Sequence, residues 1–250
     1  MIDTFKEKKP IVVSVVTFIF VFVSLLSFYK FYEEKEDKKT SEKANLLILN
    51  IVNDIQSKIA QGVTVVDSQI LLLKQNKYDT KNFNIWAQEL LLGKDALASI
   101  QLAKDGIVSN VYPYEEDKKA IGHDLLNDKR RDDGALLAIE KRGIIFVGPL
   151  KLIQNEKYAL IARKPIFYNN SDNKTFWGFS SIIMYIENIM FSLEQRILDN
   201  GFEYQIEGFN PDASSRPIFA KSKNFKGKNT LQFDINVPNG KWIFTLEKSK

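Results

Sequence analysis

Nineteen consecutive residues without a charge, Ile11 to Tyr29 (IVVSVVTFIFVFVSLLSFY), constrain this chain more than any other feature. At the helical rise of 1.5 Å per residue the run is about 28 Å long, close to the roughly 30 Å hydrocarbon core of a bilayer. Phe28, Tyr29, Phe31 and Tyr32 supply interfacial aromatics, and Lys30 can reach the headgroups while its stem stays buried. A cleaved signal peptide needs a shorter apolar region and small residues at its cleavage site, whereas Ser27-Phe28-Tyr29-Lys30 is bulky. The expectation is an uncleaved anchor: residues 1–10 an N-terminal tail, residues 11–32 a transmembrane helix. Lysines flank the run on both sides, so the positive-inside count alone does not orient it.

Beyond the anchor, Ile48, Val52, Ile55, Ile59, Val63, Val66, Ile70 and Leu73 step by three and four. That period predicts a long stalk helix over residues 33–75, with Gly62 its internal weak point. The stripe suits either docking on a domain or pairing with a second protomer in a homodimer.

After the stalk, short β-rich runs alternate with helical segments. Ala96–Ala103 and Ile107–Tyr112, split by Lys104-Asp105-Gly106, read as a hairpin. Asn127 or Asp128 is placed to cap a helix that carries Leu136, Leu137 and Ile139 and stops at Gly143. Ile144–Val147, Leu150–Ile153 and Tyr158–Tyr168 read as strands, the first two parted by Gly148-Pro149. The polar stretch 169–174 reads as a loop. A strand Phe176–Tyr185, a helix Glu187–Leu198 and strands Phe202–Glu207, Pro217–Ala220, Leu231–Val237 and Lys241–Glu247 follow. Strands, helix, strands, twice over, predict an α+β fold of two antiparallel-sheet units, residues 76–168 and 169–250.

Residue counts exclude much chemistry. There is no cysteine, hence no disulfide scaffold, zinc-thiolate site or thiol nucleophile, and the single histidine, His123, cannot build a multi-histidine metal site. The +4 net charge comes from 35 basic and 31 acidic residues, too balanced for a dedicated nucleic-acid binder. Nucleotide-binding, zinc-protease and nucleophile-elbow motifs are absent from the sequence. No cofactor and no metal is expected. The acidic clusters Glu115-Glu116-Asp117 and Asp132-Asp133 read as solvated surface. Arg163-Lys164 sits inside an apolar strand, where alternation sends one side chain to each face; an inward one can bind a carboxylate or phosphate, and a salt bridge on the sheet is the plainer role. His123-Asp124, flanked by apolar residues, can lip a polar pocket or, without a motif-marked nucleophile, act as a base.

Several segments, in order, resemble the CHASE domain. They are Ile100–Val108, Val111-Tyr112-Pro113, Ile121-Gly122-His123-Asp124-Leu125-Leu126, Gly148-Pro149, Gln154, Arg163-Lys164-Pro165-Ile166-Phe167 and Phe176-Trp177-Gly178-Phe179. CHASE is the extracellular sensory module of bacterial histidine kinases and diguanylate cyclases and of plant cytokinin receptors. The resemblance covers about residues 40–250 and implies a stalk helix followed by two PAS-like units, the first membrane-distal and ligand-holding. It also implies that residues 33–250 lie outside the cytoplasm, anchored in the inner (cell) membrane, with residues 1–10 a cytoplasmic tail. In cytokinin receptors a carboxylate of the distal unit hydrogen-bonds the purine, and the matching residue here is Asp124. A backbone contact corresponds to Phe146. The match departs at Asn155, where a glycine is usual, and in Phe146-Val147, whose bulk narrows a pocket for a planar base. The ligand implied is small and polar to aromatic.

The resulting expectation is a ligand-sensing module controlling a kinase (two-component) or cyclase (cyclic di-GMP) output absent from this chain. The sequence then belongs to a longer receptor or to an orphan sensor acting through a partner. Asp124 is expected to anchor a donor on the ligand, Tyr112, Phe146 and Phe167 to supply apolar walls, and Arg163 to meet an anionic group. The plainer roles are core packing for the aromatics and a helix cap for Asp124. The alternatives are a membrane-anchored protein-interaction module or a hydrolase using His123 and Asp124; no enzymatic activity is expected.

Overall fold

The computed structural model describes residues 3–129, 132–168, 175–212 and 217–249. The polar stretch 169–174 read as a loop lies outside the described residues. Two compact units are present, residues 1–49 and 50–250, and helix α1 (Asp3–Gln75) contributes to both. In the first unit the side chains from Val13 to Tyr32 are exposed, and the stretch is long and apolar enough to cross a membrane.

In the second unit, α2 (Phe83–Leu91) precedes the hairpin β1 (Ser99–Lys104) and β2 (Ile107–Tyr112). The short α3 (Tyr114–Asp117) and a 3-10 turn lead to α4 (Asp133–Lys141), then β3 (Ile145–Lys151), β4 (Tyr158–Phe167) and β5 (Phe176–Tyr185). Helices α5 (Ile186–Met190) and α6 (Leu193–Asp199) connect to β6 (Phe202–Gly208), β7 (Ile218–Lys221), β8 (Thr230–Val237) and β9 (Gly240–Lys248). The strands form a five-stranded antiparallel sheet, β2-β1-β5-β4-β3, and a four-stranded one, β7-β6-β9-β8.

Strand β5 pairs with β1 and β4 at the centre of the first sheet. The first sheet therefore extends to Tyr185, past the boundary at residue 168 read from the sequence. A boundary placed at a polar loop separates neighbours along the chain, but β5 closes its sheet by non-local pairing. Both faces of β5 are covered, so it is buried along nearly its whole length without alternation. Gly178 makes that pairing possible: at φ +149°, a Cβ there would be driven into the carbonyl oxygen of Ala103. Other elements differ in detail. The helix expected to be capped by Asn127 or Asp128 starts at Asp133. The two strands around Gly148-Pro149 are one, with a register shift between Val147 and Leu150.

Helix α1 covers one face of the first sheet. Ile51, Ile55, Ile59, Gly62, Val66, Gln69 and Leu73 are buried, while Val52, Val63 and Ile70 sit at the margin of that stripe. Atoms of Met184, Ile182 and Leu97 lie 3.4–3.7 Å from where a Gly62 Cβ would stand, so the helix passes close over β5. Polar links fix the register: Ser180 Oγ donates to Val66 O (3.3 Å) and to Gln69 Oε1, and Lys164 Nζ pairs with Asp67 Oδ1 (2.6 Å). Lys164 thus faces the helix and its neighbour Arg163 the opposite side, as strand alternation requires.

Candidate functional site

The face of the first sheet away from α1 carries a core of Ala103, Val111, Ile145, Val147, Ile161, Phe179 and Ile183, covered by α4 and the segment around Ala120 and Leu125. A row of polar residues runs through it. Strand register sets Gln101 opposite Ser181, and Ser181 opposite Arg163, so the three lie side by side on β1, β5 and β4. At about 4.8 Å per strand the backbones of Gln101 and Arg163 are about 10 Å apart. All three are buried. Between them and the covering segment is a cavity of about 50 Å³, whose wall includes Gln101, Val108, His123, Leu152, Gln154, Ile161, Arg163 and Asp212.

Arg163 is the dominant charge of this cavity. Its guanidinium lies 5.7 Å from the Phe179 ring, and its Nε and Nη1 have no hydrogen-bond acceptor among the described residues. Burial lowers its pKa to about 10, opposed by the charge of Asp212, so it stays protonated at neutral pH. Asp212 comes from the connection between β6 and β7, part of the second sheet. Its Oδ1 accepts the Gly134 amide at the start of α4 (2.7 Å), and its Oδ2 is buried without a partner among the described residues. Burial raises its pKa; the Gly134 bond and Arg163 act in the opposite sense. Nearby, Asn210 Oδ1 accepts the Gly148 amide (3.2 Å), and Asn239 brackets Phe146, accepting from its N (3.0 Å) and donating to its O (2.9 Å). The second sheet therefore holds β3 and contributes one wall of the cavity.

A second carboxyl, the fully buried Asp117, adjoins the cavity. Gln154 Nε2 donates to its Oδ1 (3.0 Å), and Ser99 and Gln101 face it without forming hydrogen bonds of ordinary geometry. Burial raises its pKa, offset in part by Ser99, Gln154 and Gln101. The acidic cluster read as solvated surface is thus split: Glu115 and Glu116 are exposed, and Asp117 is fully buried.

Of the five residues expected from sequence to contact a ligand, Arg163 alone is in the cavity wall; His123, read as a pocket lip, lines it as well. Asp124 lies in an open cleft with His123, Asn127, Asp128 and Ile153; His123 and Ile153 are shared with the cavity wall, which puts Asp124 at its lip. Its Oδ1 accepts the amides of Leu126 (2.9 Å) and Asn127 (3.2 Å), and its Oδ2 accepts Asn127 Nδ2 (2.8 Å). The Asn127 and Leu126 bonds hold its pKa below the usual carboxylate value. His123 Nε2 lies 3.5 Å from Asp128 Oδ2, and its charge also acts on Asp124. Phe146 and Tyr112 share a row with Ala162, Ile182 and Ile100, on the face that α1 covers. Phe167 packs edge-on against Phe176 (6.0 Å), with the Arg142 guanidinium over its ring (5.4 Å). Asp117 and Asp212 carried no sequence signal as site residues, because the elements that bring them to the cavity meet only in the fold; Gln101 and Gln154 were visible only as landmarks of the resemblance.

The CHASE domain family model matches residues 60–218, which span α1 from Ala60 through both walls of the cavity. The chain belongs to the CHASE domain family. As a CHASE domain it is an extracellular ligand-sensing module of the kind found in signalling receptors. No curated protein matches it. In fold it is similar to an extracellular ligand binding receptor from Desulfohalobium retbaense (12% identity, TM-score 0.63), covering 81% of this chain and 39% of that one. It is similar as well to the ligand-binding domain of the Pseudomonas aeruginosa amino acid chemoreceptor PctC in complex with GABA (14%, TM-score 0.59, 82% and 98% covered). A third is the sensor domain of the Vibrio cholerae histidine kinase DctB (10%, TM-score 0.53, 84% and 96% covered).

Proposed function

We propose that this CHASE domain senses a small molecule bound in the Arg163 cavity, outside the cytoplasm, and passes the event through α1 to a kinase or cyclase output. The observation that carries this reading is Arg163: a charged guanidinium, buried in a cavity wall, with two donors unused among the described residues. A buried polar group without a partner costs about 1–3 kcal/mol, more when charged, and a ligand acceptor removes that cost. The chemoreceptor neighbour solved with GABA supports a small polar ligand in this kind of fold. Asp124 serves at the lip, holding the 124–127 turn, and Phe146, Tyr112 and Phe167 support the sheet around the site.

The mechanism is a population shift. Adjacent residues of β5 face opposite ways: Ser181 toward the cavity, Ser180 toward Gln69 of α1, whose Nε2 also donates to the Gln101 carbonyl (3.4 Å). A ligand that favours one setting of β1 and β5 thereby favours one setting of α1. Homodimerisation along α1 belongs to the same reading. Because Ile51–Leu73 is spent on packing within the chain, pairing uses the opposite face, where Asn53, Ser57, Ala60 and Thr64 are exposed.

A thermal-shift screen of the full chain in nanodiscs against small metabolites tests the function. A ligand at a hundredfold excess over its Kd stabilises by about 2.7 kcal/mol. The expected result is a hit that Arg163→Gln abolishes. A hit that survives Arg163→Gln contradicts the site, and no hit in a broad library contradicts small-molecule sensing in favour of a protein partner.

A further inference from the structure

Building on the sensing site just proposed, we infer that its ligand is a short α-amino acid, with its carboxylate on Arg163 and Gln101 and its ammonium on Asp212. Three observations carry this. The buried groups left without partners among the described residues are of both kinds: donors on Arg163 (Nε, Nη1) and Gln101 (Nε2), acceptors on Asp212 (Oδ2) and Asp117 (Oδ2). A ligand that satisfies both kinds must bring acceptors and donors together. The second observation is size. A cavity of about 50 Å³ holds roughly three to five water-sized groups at about 10–15 Å³ each, a size near that of the smallest amino acids and too little for a branched or aromatic side chain.

The third is charge balance. Arg163 and Asp212 face the same buried space and interact electrostatically. A zwitterion adds no net charge to that space, whereas a short hydroxy acid adds an uncompensated anion beside the Asp117 and Asp212 carboxyls, which a low-dielectric site disfavours. Asp212 is therefore the specificity-determining residue. It stands in the β6–β7 connection, so the ammonium contact also ties the first sheet to that connection across the ligand.

Calorimetric titration of the full chain in nanodiscs with glycine, alanine, leucine, glycolate and lactate tests the assignment. The expected result is binding of glycine or alanine at least about tenfold tighter than glycolate, lactate or leucine, weakened at least about tenfold by Asp212→Asn, as for loss of a charge-assisted bond. Asp212→Ser, which keeps an acceptor for the Gly134 amide, replaces it if Asp212→Asn does not fold. Glycolate binding as tightly as glycine, or glycine binding unchanged by both Asp212 variants, overturns the zwitterion assignment; loss of that binding in Arg163→Gln then leaves the sensing site standing. Binding of none of the five overturns the assignment as well. The sensing reading falls with it only if the wider metabolite screen has no hit that depends on Arg163.

Discussion

Two carboxyls, the fully buried Asp117 and the half-buried Asp212, titrate above the ordinary carboxylate range because desolvation penalises their charged forms. The sign of the effect on stability follows from linkage. A folded-state pKa above the unfolded value means that the native state binds more protons between the two, so stability is full below the unfolded pKa and is lost as pH rises through the folded one. Lowering the pH from neutral toward the usual carboxylate range is therefore predicted to stabilise the chain through these groups. Asp117→Asn, which keeps an acceptor for Gln154, is predicted to flatten that slope in denaturant titrations at several pH values. An unchanged slope contradicts the assignment for Asp117. Asp124 acts in the opposite sense and lower down: its depressed pKa gives stability that is lost only as pH falls below the usual range. At this scale the sequence was a poor guide. Alternation within an apolar strand singled out Arg163, whereas the burial of Asp117 depends on a single turn that sets it and Ala120 inward between exposed neighbours.

Elements were far more legible than residues. Strand β5 was read with both ends correct, and β1–β2 as a hairpin, because turn residues and apolar runs mark them locally. Helix α2 was missed although Phe83, Trp86 and Ala87 stand at i, i+3 and i+4 and are buried. Two glycines make opposite predictions. Gly62, read as a weak point of the stalk, has room for a methyl group at ordinary contact distances, so Gly62→Ala is predicted to stabilise by about 0.5–1 kcal/mol through helix propensity. Gly178→Ala forces a methyl group into the Ala103 carbonyl at positive φ and is predicted to cost more than about 2 kcal/mol. Chemical denaturation of the two variants beside the parent measures both, and a destabilised Gly62→Ala contradicts the close but unclashed packing of α1 on β5.

For the molecule as a whole, the long N-terminal helix with its apolar run and the two antiparallel sheets were readable from hydropathy and periodicity. The boundary between the sheets was not, since β5 pairs with β1, which precedes it by more than seventy residues. Nor was the role of the α1 stripe, which periodicity left open between docking and dimerisation; the fold gives it to docking. The absence of cysteine allows a direct test of pairing by the other face. Ala60→Cys and Thr64→Cys are predicted to form disulfide-linked dimers on oxidation in membranes and the buried Ile55→Cys not to; no cross-link at either exposed position contradicts the dimer. The central claim is that a small molecule occupies the Arg163 cavity. It is tested most directly by hydrogen–deuterium exchange of the full chain with and without a ligand found in the screen. The account predicts ligand-dependent protection in β1, β4, β5 and the 208–212 segment; protection confined to the second sheet or to the Asp124 cleft would contradict it.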